Sequence, residues 1–244
     1  MVGGDAVADA VARAHRLPEL RVGLHLNLTD GHPVLPEAVV PQLVRENGEF
    51  DRNMARAGFR FFMFPDVRRQ LASEIRAQFE AFRASGLALD HVNAHKHMHL
   101  HPCVARLLIE IGRDYGMKAV RVPSEPLAVL HRAFPDERPR APPYHPWVVA
   151  LRRRVRQAGL RTNDHIFGLA WSGRMIEARI LRLIPHLPDG VSESYFHPAA
   201  EGAPSLVPAI RGYRRAEELA TLLSPLLRDR IAEFGIRLVS YSDL

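Results

Sequence analysis

Apolar positions along the chain follow two different patterns. In four segments they recur at helical spacing, which predicts helices over residues 5–16, 67–85, 102–116 and 214–234. Short apolar runs between these segments predict strands over residues 20–28, 88–95, 118–123, 191–197 and 236–241. Alternating strands and helices are typical of an α/β protein. We expect a distorted or partial (β/α) TIM-like barrel, whose site would lie at the carboxyl ends of its strands.

The length of 244 residues suits one sizeable core, so we expect a single domain over 1–244. Residues 134–147 are irregular and rich in proline, which favours a long functional loop. No apolar run approaches the roughly 20 residues that span a bilayer, and the N-terminus lacks the pattern of a secretory signal. The one cysteine, Cys103, rules out an internal disulfide. Together these features favour the cytoplasm.

The net charge of +6 does not by itself predict nucleic-acid binding. No zinc-finger spacing, ribonucleoprotein motif or continuous basic helix accompanies the charge. The densest arginine cluster, at positions 152–154 and 156, follows the apolar residues 147–149. A solvated helix face is the favoured interpretation of this segment, and contact with an anionic membrane surface is the alternative.

Five of the 13 histidines lie in one short segment, DHVNAHKHMHLHP at 90–102: His91, His95, His97, His99 and His101. Side chains alternate across a strand, so all five share one face if the predicted strand continues through them. A neutral imidazole is a good ligand for zinc and similar ions, but only one or two of these rings can bind the same ion. We expect His97 and His99 to support the ligands. Ordinary surface or core histidines are the less favoured alternative.

Further candidates lie at the ends of other predicted strands. His25 lies in GLHLNLT (23–29), and His197 lies in SYFHP (194–198). Alone, His25 would be interpreted as structural, but histidines from several strand ends fit a barrel site. Arg121 is a candidate contact for the substrate or for a metal ligand, with an ordinary surface arginine as an equal alternative.

These segments resemble the YdjC-like carbohydrate deacetylase family. The motifs GLHLNLT, HVNAHKHMHLHP and SESYFHP match it in order, and the ending SPLLRDRIAEFGIRLVSYSDL resembles the family's terminal helix and strand. Within the family, VNAHKHMHLHP and TNDHIFGL (162–169) resemble the hopanoid-biosynthesis-associated branch. Other branches usually carry aspartate and serine where this chain has Asn93 and Ala94. The resemblance implies a barrel of the glycoside hydrolase/deacetylase type.

The resemblance also implies a divalent ion, Zn or Mg, held by two histidines and one aspartate. The histidines correspond to His25 and His95, and His197 corresponds to a histidine that we expect to act as general acid. The branch resemblance makes Asp164 a candidate sugar contact.

The aspartate ligand belongs, by the same resemblance, to an adjacent pair at the end of the first strand. The second aspartate of the pair is the expected general base. This chain has no such pair, and Asp5 and Asp9 lie in a helical segment. The resemblance therefore implies that one βα unit, roughly 30 residues, is missing before MVGG, with a misassigned start as the favoured explanation. The chain as written is expected to bind metal weakly and to turn over poorly.

The leading hypothesis is hydrolysis of the N-acetyl group of an amino sugar, such as the N-acetylglucosaminyl head of a hopanoid lipid. The alternatives are metal-assisted phosphoester hydrolysis and a non-catalytic metal- or membrane-binding remnant. We expect an amino-sugar or glycolipid substrate and no nucleic-acid partner. Peripheral contact with the inner membrane face and a homodimer are both left open.

Overall fold

The computed structural model of the chain describes residues 1–137, 139–140, 143–203 and 211–244. The chain divides into two compact units. The first unit comprises Met1–Arg121, Pro146–Thr162 and Ser240–Leu244, and the second comprises Val122–His145 and Asn163–Val239. A single functional domain over 1–244 stays a prediction.

The first unit is built on two parallel strands covered by helices. Its elements are α1 (Val7–His15), β1 (Val22–Leu26), α2 (Met54–Met63), α3 (Pro65–Ala84), β2 (Leu89–Ala94), α4 (Pro102–Asp114) and, apart from its first residue, α6 (His145–Gln157). Strands β1 and β2 pair in parallel, with His25 opposite Asn93 and Leu26 opposite Ala94. Their carboxyl ends therefore lie side by side.

Helices α3 and α4 form where the apolar spacing predicts them. Leu71, Ile75, Phe79 and Phe82 line one side of α3 and are all buried. Pro102 occupies the first turn of α4, where its missing N–H costs no helical hydrogen bond. These helices cover the sheet and fix the segment that joins β2 to α4.

The second unit contains α5 (Leu127–Ala133), β3 (His165–Phe167), α7 (Glu177–Leu183), β4 (Ser192–Ser194), α8 (Arg215–Leu222) and α9 (Pro225–Glu233). Strands β3 and β4 pair in parallel, with Phe167 opposite Ser194. The core of this unit is apolar and includes Val129, Leu130, Phe134, Phe167, Trp171, Met175, Leu183 and Ile184. Several predicted site residues lie next to this short sheet.

Several predicted elements differ from the structure. The single helix expected over 214–234 is wrong, because Ser224 caps a new helix, α9, that begins at Pro225. The strand expected over 236–241 is also wrong: Leu238 is 77% exposed, and a 3-10 turn (Tyr241–Asp243) ends the chain. The strand expected over 118–123 is reduced to bridges at Ala119 and Val120. Helices α2 and α7 and strand β3 were not predicted.

The fold class is mixed α/β, as predicted. In the described residues the named strands form two separate two-stranded sheets, neither of them closed. A complete barrel therefore stays a prediction. No helix within the described ranges is long and apolar enough to cross a bilayer. The loop expected over 134–147 is only partly described, and α6 already begins at His145.

Candidate functional site

The histidine segment does not continue as a strand. Strand β2 ends at Ala94, and His95–Leu100 forms a 3-10 segment. Inside it, Lys96 and His97 have φ values of 47° and 56°, in the left-handed region that non-glycine residues rarely adopt. The expectation that the five histidines share one face is therefore wrong, because the backbone is no longer extended after Ala94.

Two other histidines of the segment, His91 and His99, have different environments. His91 pairs with Asp90 at 2.9 Å and stacks on Tyr241, with ring centroids 4.5 Å apart. His99 is fully buried, and its Nε2 donates to the carbonyl of Arg121 at 2.9 Å. Burial lowers the pKa of His99 well below its ordinary value, so the ring is neutral. These contacts hold the rings of His91 and His99 in place.

His25 and His95 come together at the carboxyl ends of the two parallel strands. Their ring centroids are 5.7 Å apart, and the rings meet edge to face at 73°. Burial lowers the pKa of His25 to about 3, with a smaller contribution from the nearby charge of His95. The His25 ring is therefore neutral near pH 7, which is the state that can coordinate an ion.

Asn93 connects His25 to Arg121. Oδ1 of Asn93 faces the guanidinium, accepting from Nη1 at 3.0 Å and Nη2 at 3.2 Å, and its Nδ2 donates to Nδ1 of His25 at 2.5 Å. The reverse amide orientation would aim the NH₂ group at the guanidinium N–H groups, so it is disfavoured. In this arrangement the second ring nitrogen of neutral His25, Nε2, carries the proton.

Asp30 is a neighbour of this pair that the sequence analysis did not single out. One carboxylate oxygen lies 3.5 Å from Nε2 of His95. The same carboxylate forms an ion pair with Lys96 and a looser one with Arg52 at 3.6 Å. Asp30 lies four residues after the end of β1, the strand that carries His25. That position in the sequence was the signal that could have placed Asp30 near the two histidines.

The residues present fit part of a metal site. His25 and His95 are close enough for their rings to flank one cation, and neutral imidazoles suit zinc. Across the described ranges, however, no three His, Cys, Asp or Glu side chains gather to hold an ion. A catalytic zinc usually has three protein ligands, so the pair supplies two of them.

His197 lies in the second unit, three residues after β4. Its main-chain N–H donates to Oε2 of Glu218 at 2.5 Å, and its ring meets Tyr195 and Tyr213 edge to face, with centroids 5.5 and 5.0 Å away. Glu218 is fully buried and also accepts from the N–H of Met175 at 2.8 Å. Sequence reasoning missed Glu218, because a glutamate in a helix gives no sign that it will be buried.

Two further carboxylates, those of Asp164 and Glu125, accept hydrogen bonds from main-chain N–H groups near β3 and β4. Asp164 accepts from the N–H of Val191 at 3.0 Å, so its carboxylate organises the backbone that precedes β4. Glu125 accepts from three successive N–H groups at residues 168–170, at 2.8 to 3.0 Å. Burial nevertheless raises the pKa of Glu125. Sequence reasoning named Asp164 as a sugar contact and did not single out Glu125.

The fold and the paired histidines define an α/β protein with a histidine site at the ends of parallel strands. Residues 1–233 match the YdjC-like protein family, and the chain belongs to that family. It is 31% identical to a carbohydrate deacetylase of Geobacillus stearothermophilus, over the whole of this chain and 84% of that protein. A carbohydrate deacetylase of Mus musculus is also 31% identical, over the whole chain and 84% of the relative.

A solved structure shares the fold. The crystal structure of a proposed cellobiose-phosphate cleavage protein from Enterococcus faecalis V583 superposes with a TM-score of 0.73 at 22% identity. The match covers the whole of this chain and 85% of the other. The family predicted from the histidine motifs is confirmed, whereas the hopanoid-associated branch stays a prediction.

Proposed function

We propose that this chain is a carbohydrate deacetylase, a hydrolase that removes the acetyl group from an acetylated amino sugar. The observation that carries the proposal is the convergence of His25 and His95 at 5.7 Å, at the ends of parallel strands. Membership of a family whose relatives are named carbohydrate deacetylases supports the same chemistry.

The proposed reaction needs a divalent ion, Zn or Mg, with His25 and His95 as ligands. When bound, such an ion lowers the pKa of water and polarises the amide carbonyl. Burial keeps His25 neutral, which is the charge state that can coordinate an ion. His97 and His99 are proposed to support the ligands. For His99 the support runs through the main chain of Arg121.

Hydrolysis forms a bond from the water oxygen to the acetyl carbon and breaks the bond from that carbon to the sugar nitrogen. The nitrogen leaves as an amine only if it gains a proton. We assign that proton to the imidazole of His197, whose backbone Glu218 holds. Proton transfer of this kind typically contributes about 10²- to 10⁴-fold in rate.

The finer parts of the proposal concern the substrate. Arg121 and Asp164 are proposed sugar contacts, and the substrate is proposed to be the N-acetylglucosaminyl head group of a hopanoid lipid. The branch motifs VNAHKHMHLHP and TNDHIFGL support that choice. The carboxylate base expected from the family resemblance stays a prediction.

The test combines zinc binding by calorimetry with acetate release from N-acetylglucosaminyl substrates, with and without a hopanoid tail. His25→Ala and His95→Ala should each abolish zinc binding and acetate release. His15→Ala, which alters an exposed ring bonded to the carbonyl of Ser85, is the matched control and should change neither. Unchanged zinc binding in both site variants would refute the ligand assignment. Phosphate release from phosphorylated sugars in place of acetate would favour a phosphoester hydrolase.

A further inference from the structure

Helix α2 exposes a cluster of large apolar side chains. Phe59, Phe62, Met63 and Phe64 are 60%, 61%, 51% and 48% exposed, and we call these four residues the α2 aromatic surface. The first three are spaced i, i+3 and i+4 and share one side of the helix. Phe64 follows α2 and packs edge to face on Phe59, with centroids 6.4 Å apart. Apolar groups clustered in this way commonly mark an interaction surface.

The opposite side of α2 fixes this surface in an outward orientation. Ala57, Gly58 and Phe61 are buried, and the ring of Phe61 lies 5.9 Å from that of His101. A Cβ atom at Gly58 would lie 3.2 Å from the same histidine ring. The guanidinium of Arg68 donates to the carbonyl of Phe62 at the end of the helix. The exposed rings therefore cannot turn into the core without loss of these contacts.

Arginines flank the α2 aromatic surface along the chain. Residues 54–69 contain four arginines and one aspartate. Arg56 pairs with Asp51, and Arg69 pairs with Asp66. The local excess of cationic groups next to exposed aromatic rings is the composition of helices that lie in a membrane interface.

Helix α6 also combines exposed apolar side chains with several arginines. Trp147 and Val149 are 48% and 56% exposed, while its thirteen residues include four arginines and no acidic residue. Arg154 of this helix donates to the carbonyl of Pro102 at 3.3 Å. Pro102 is the neighbour of His101, which contacts α2. Both helices therefore approach the first turn of α4, next to the segment that carries His95.

We propose that the α2 aromatic surface, together with Trp147 and Val149 of α6, docks on an anionic phospholipid bilayer. The phenylalanine and tryptophan rings would enter the interface between head groups and acyl chains, while the arginines contact lipid phosphates. A second copy of the chain is a poorer occupant, because it would bring two cationic surfaces together. The proposal is independent of the proposed deacetylation, since it concerns binding to lipid alone.

The test is co-sedimentation of the full chain with vesicles of phosphatidylcholine alone or mixed with phosphatidylglycerol at 7:3. The chain should bind the mixed vesicles, and binding should weaken as NaCl is raised. The double substitution Phe59→Ser and Phe62→Ser should reduce binding at least about tenfold, because two exposed rings lose their apolar contact with lipid.

Leu223→Ser with Leu226→Ser is the matched control. These leucines are 68% and 55% exposed and belong to the second unit, so their loss removes similar apolar area without altering the α2 aromatic surface. Thermal melts should show that both double variants remain folded. Failure of the unchanged chain to bind mixed vesicles would overturn the proposal, as would equal binding by the phenylalanine variant. A dimer that dissociates on the phenylalanine substitutions, without vesicle binding, would assign the surface to self-association instead.

Discussion

The side-chain amide of Asn93 donates to Nδ1 of His25 across 2.5 Å, at directly opposed positions of two parallel strands. An amide that donates to Nδ1 leaves the proton of the neutral ring on Nε2. A cation at Nε2 requires the other tautomer, with Nδ1–H donating to an acceptor. Asn93 therefore disfavours the tautomer of His25 that metal binding at Nε2 needs. That tautomer forms only if the amide turns over, which would point its NH₂ group at the guanidinium of Arg121.

The first prediction is that Asn93→Asp increases zinc affinity. One carboxylate oxygen would accept from Nδ1–H of His25, while the other would face the guanidinium of Arg121. Loss of such a supporting contact typically costs about 10- to 100-fold in metal affinity, and we expect a gain of that order. Calorimetry or competition with a zinc indicator measures it. Asn93→Leu, of similar size without polar atoms, should bind no tighter than the unchanged chain; equal affinity in all three proteins would contradict the proposed contact.

The second prediction concerns stability in acid. Burial lowers the pKa of His99 below its ordinary value of 6.5, so the unfolded chain binds this proton more readily than the folded one. The stability that the neutral ring contributes is complete above pH 6.5 and is lost as pH falls below it. The free energy of unfolding should decrease in that range by up to about 1.4 kcal/mol per pH unit for this one group.

His99→Gln tests that contribution. Glutamine can still donate to the carbonyl of Arg121 but does not titrate, so its free energy of unfolding should fall less steeply below pH 6.5. Denaturant titrations between pH 4 and 8 measure the slope. His15→Gln, at an exposed ring, should keep the original slope. Identical acid dependence in the His99→Gln variant and the unchanged chain would count against the buried neutral ring.

The third prediction is that Glu218 positions His197. Glu218→Gln replaces one carboxylate oxygen by an NH₂ group, so either Met175 or His197 loses an acceptor for its main-chain N–H. An unsatisfied buried donor costs about 1–3 kcal/mol of stability. If His197 is the general acid, kcat for acetate release should fall while KM stays nearly constant.

Glu217→Gln is the matched control for this substitution. It lies in the same helix, but its side chain is 51% exposed and pairs with Arg214 at the surface. Surface ion pairs are worth about 0–1 kcal/mol, so kcat and stability should stay close to those of the unchanged chain. A kcat for Glu218→Gln that equals that of the control would remove the positioning role.

The fourth prediction is that Gly23→Ala destabilises the first unit. A Cβ atom there would lie 2.6 Å from the ring of His91, which Asp90 and Tyr241 hold in place. Overpacking of this kind costs about 1–3 kcal/mol. Thermal or denaturant unfolding measures it. Gly212→Ala, where no atom of the described residues lies within 4 Å, should be nearly neutral, and equal effects at both positions would refute the proposed clash.

The sequence allowed the local elements to be predicted where one periodicity extends over several turns. Helix α3 is an example, because its apolar residues all face the core. Strands β1 and β2 could likewise be predicted, although their ends were placed too far along the chain. The strand predicted over 236–241 failed, because a short apolar run does not show whether another strand is available to pair with it.

The site was predictable only in part. Position at strand ends indicated that His25 and His95 could approach each other, and their rings lie 5.7 Å apart. The contacts of Asn93 depend on the register of β1 against β2, which the motifs do not show. The half-buried Glu125 and the buried Glu218 bind backbone from distant parts of the chain. Such partners arise from tertiary structure, so residue type and spacing give no signal for them.

Asp30, Lys96 and His97 are the three non-glycine residues with left-handed φ in the described part of the chain. The carboxylate of Asp30 lies 3.5 Å from Nε2 of His95, and Lys96 and His97 are the two residues that follow His95. A left-handed backbone costs a non-glycine residue about 1–2 kcal/mol, whereas glycine adopts it freely. Glycine at position 96 would ease the backbone but remove the ammonium that neutralises Asp30. Selection for heat resistance alone should therefore accept substitutions at Lys96 and His97 early. The same substitutions would remove side chains close to His95, so thermal stability would rise while the activity of the site falls.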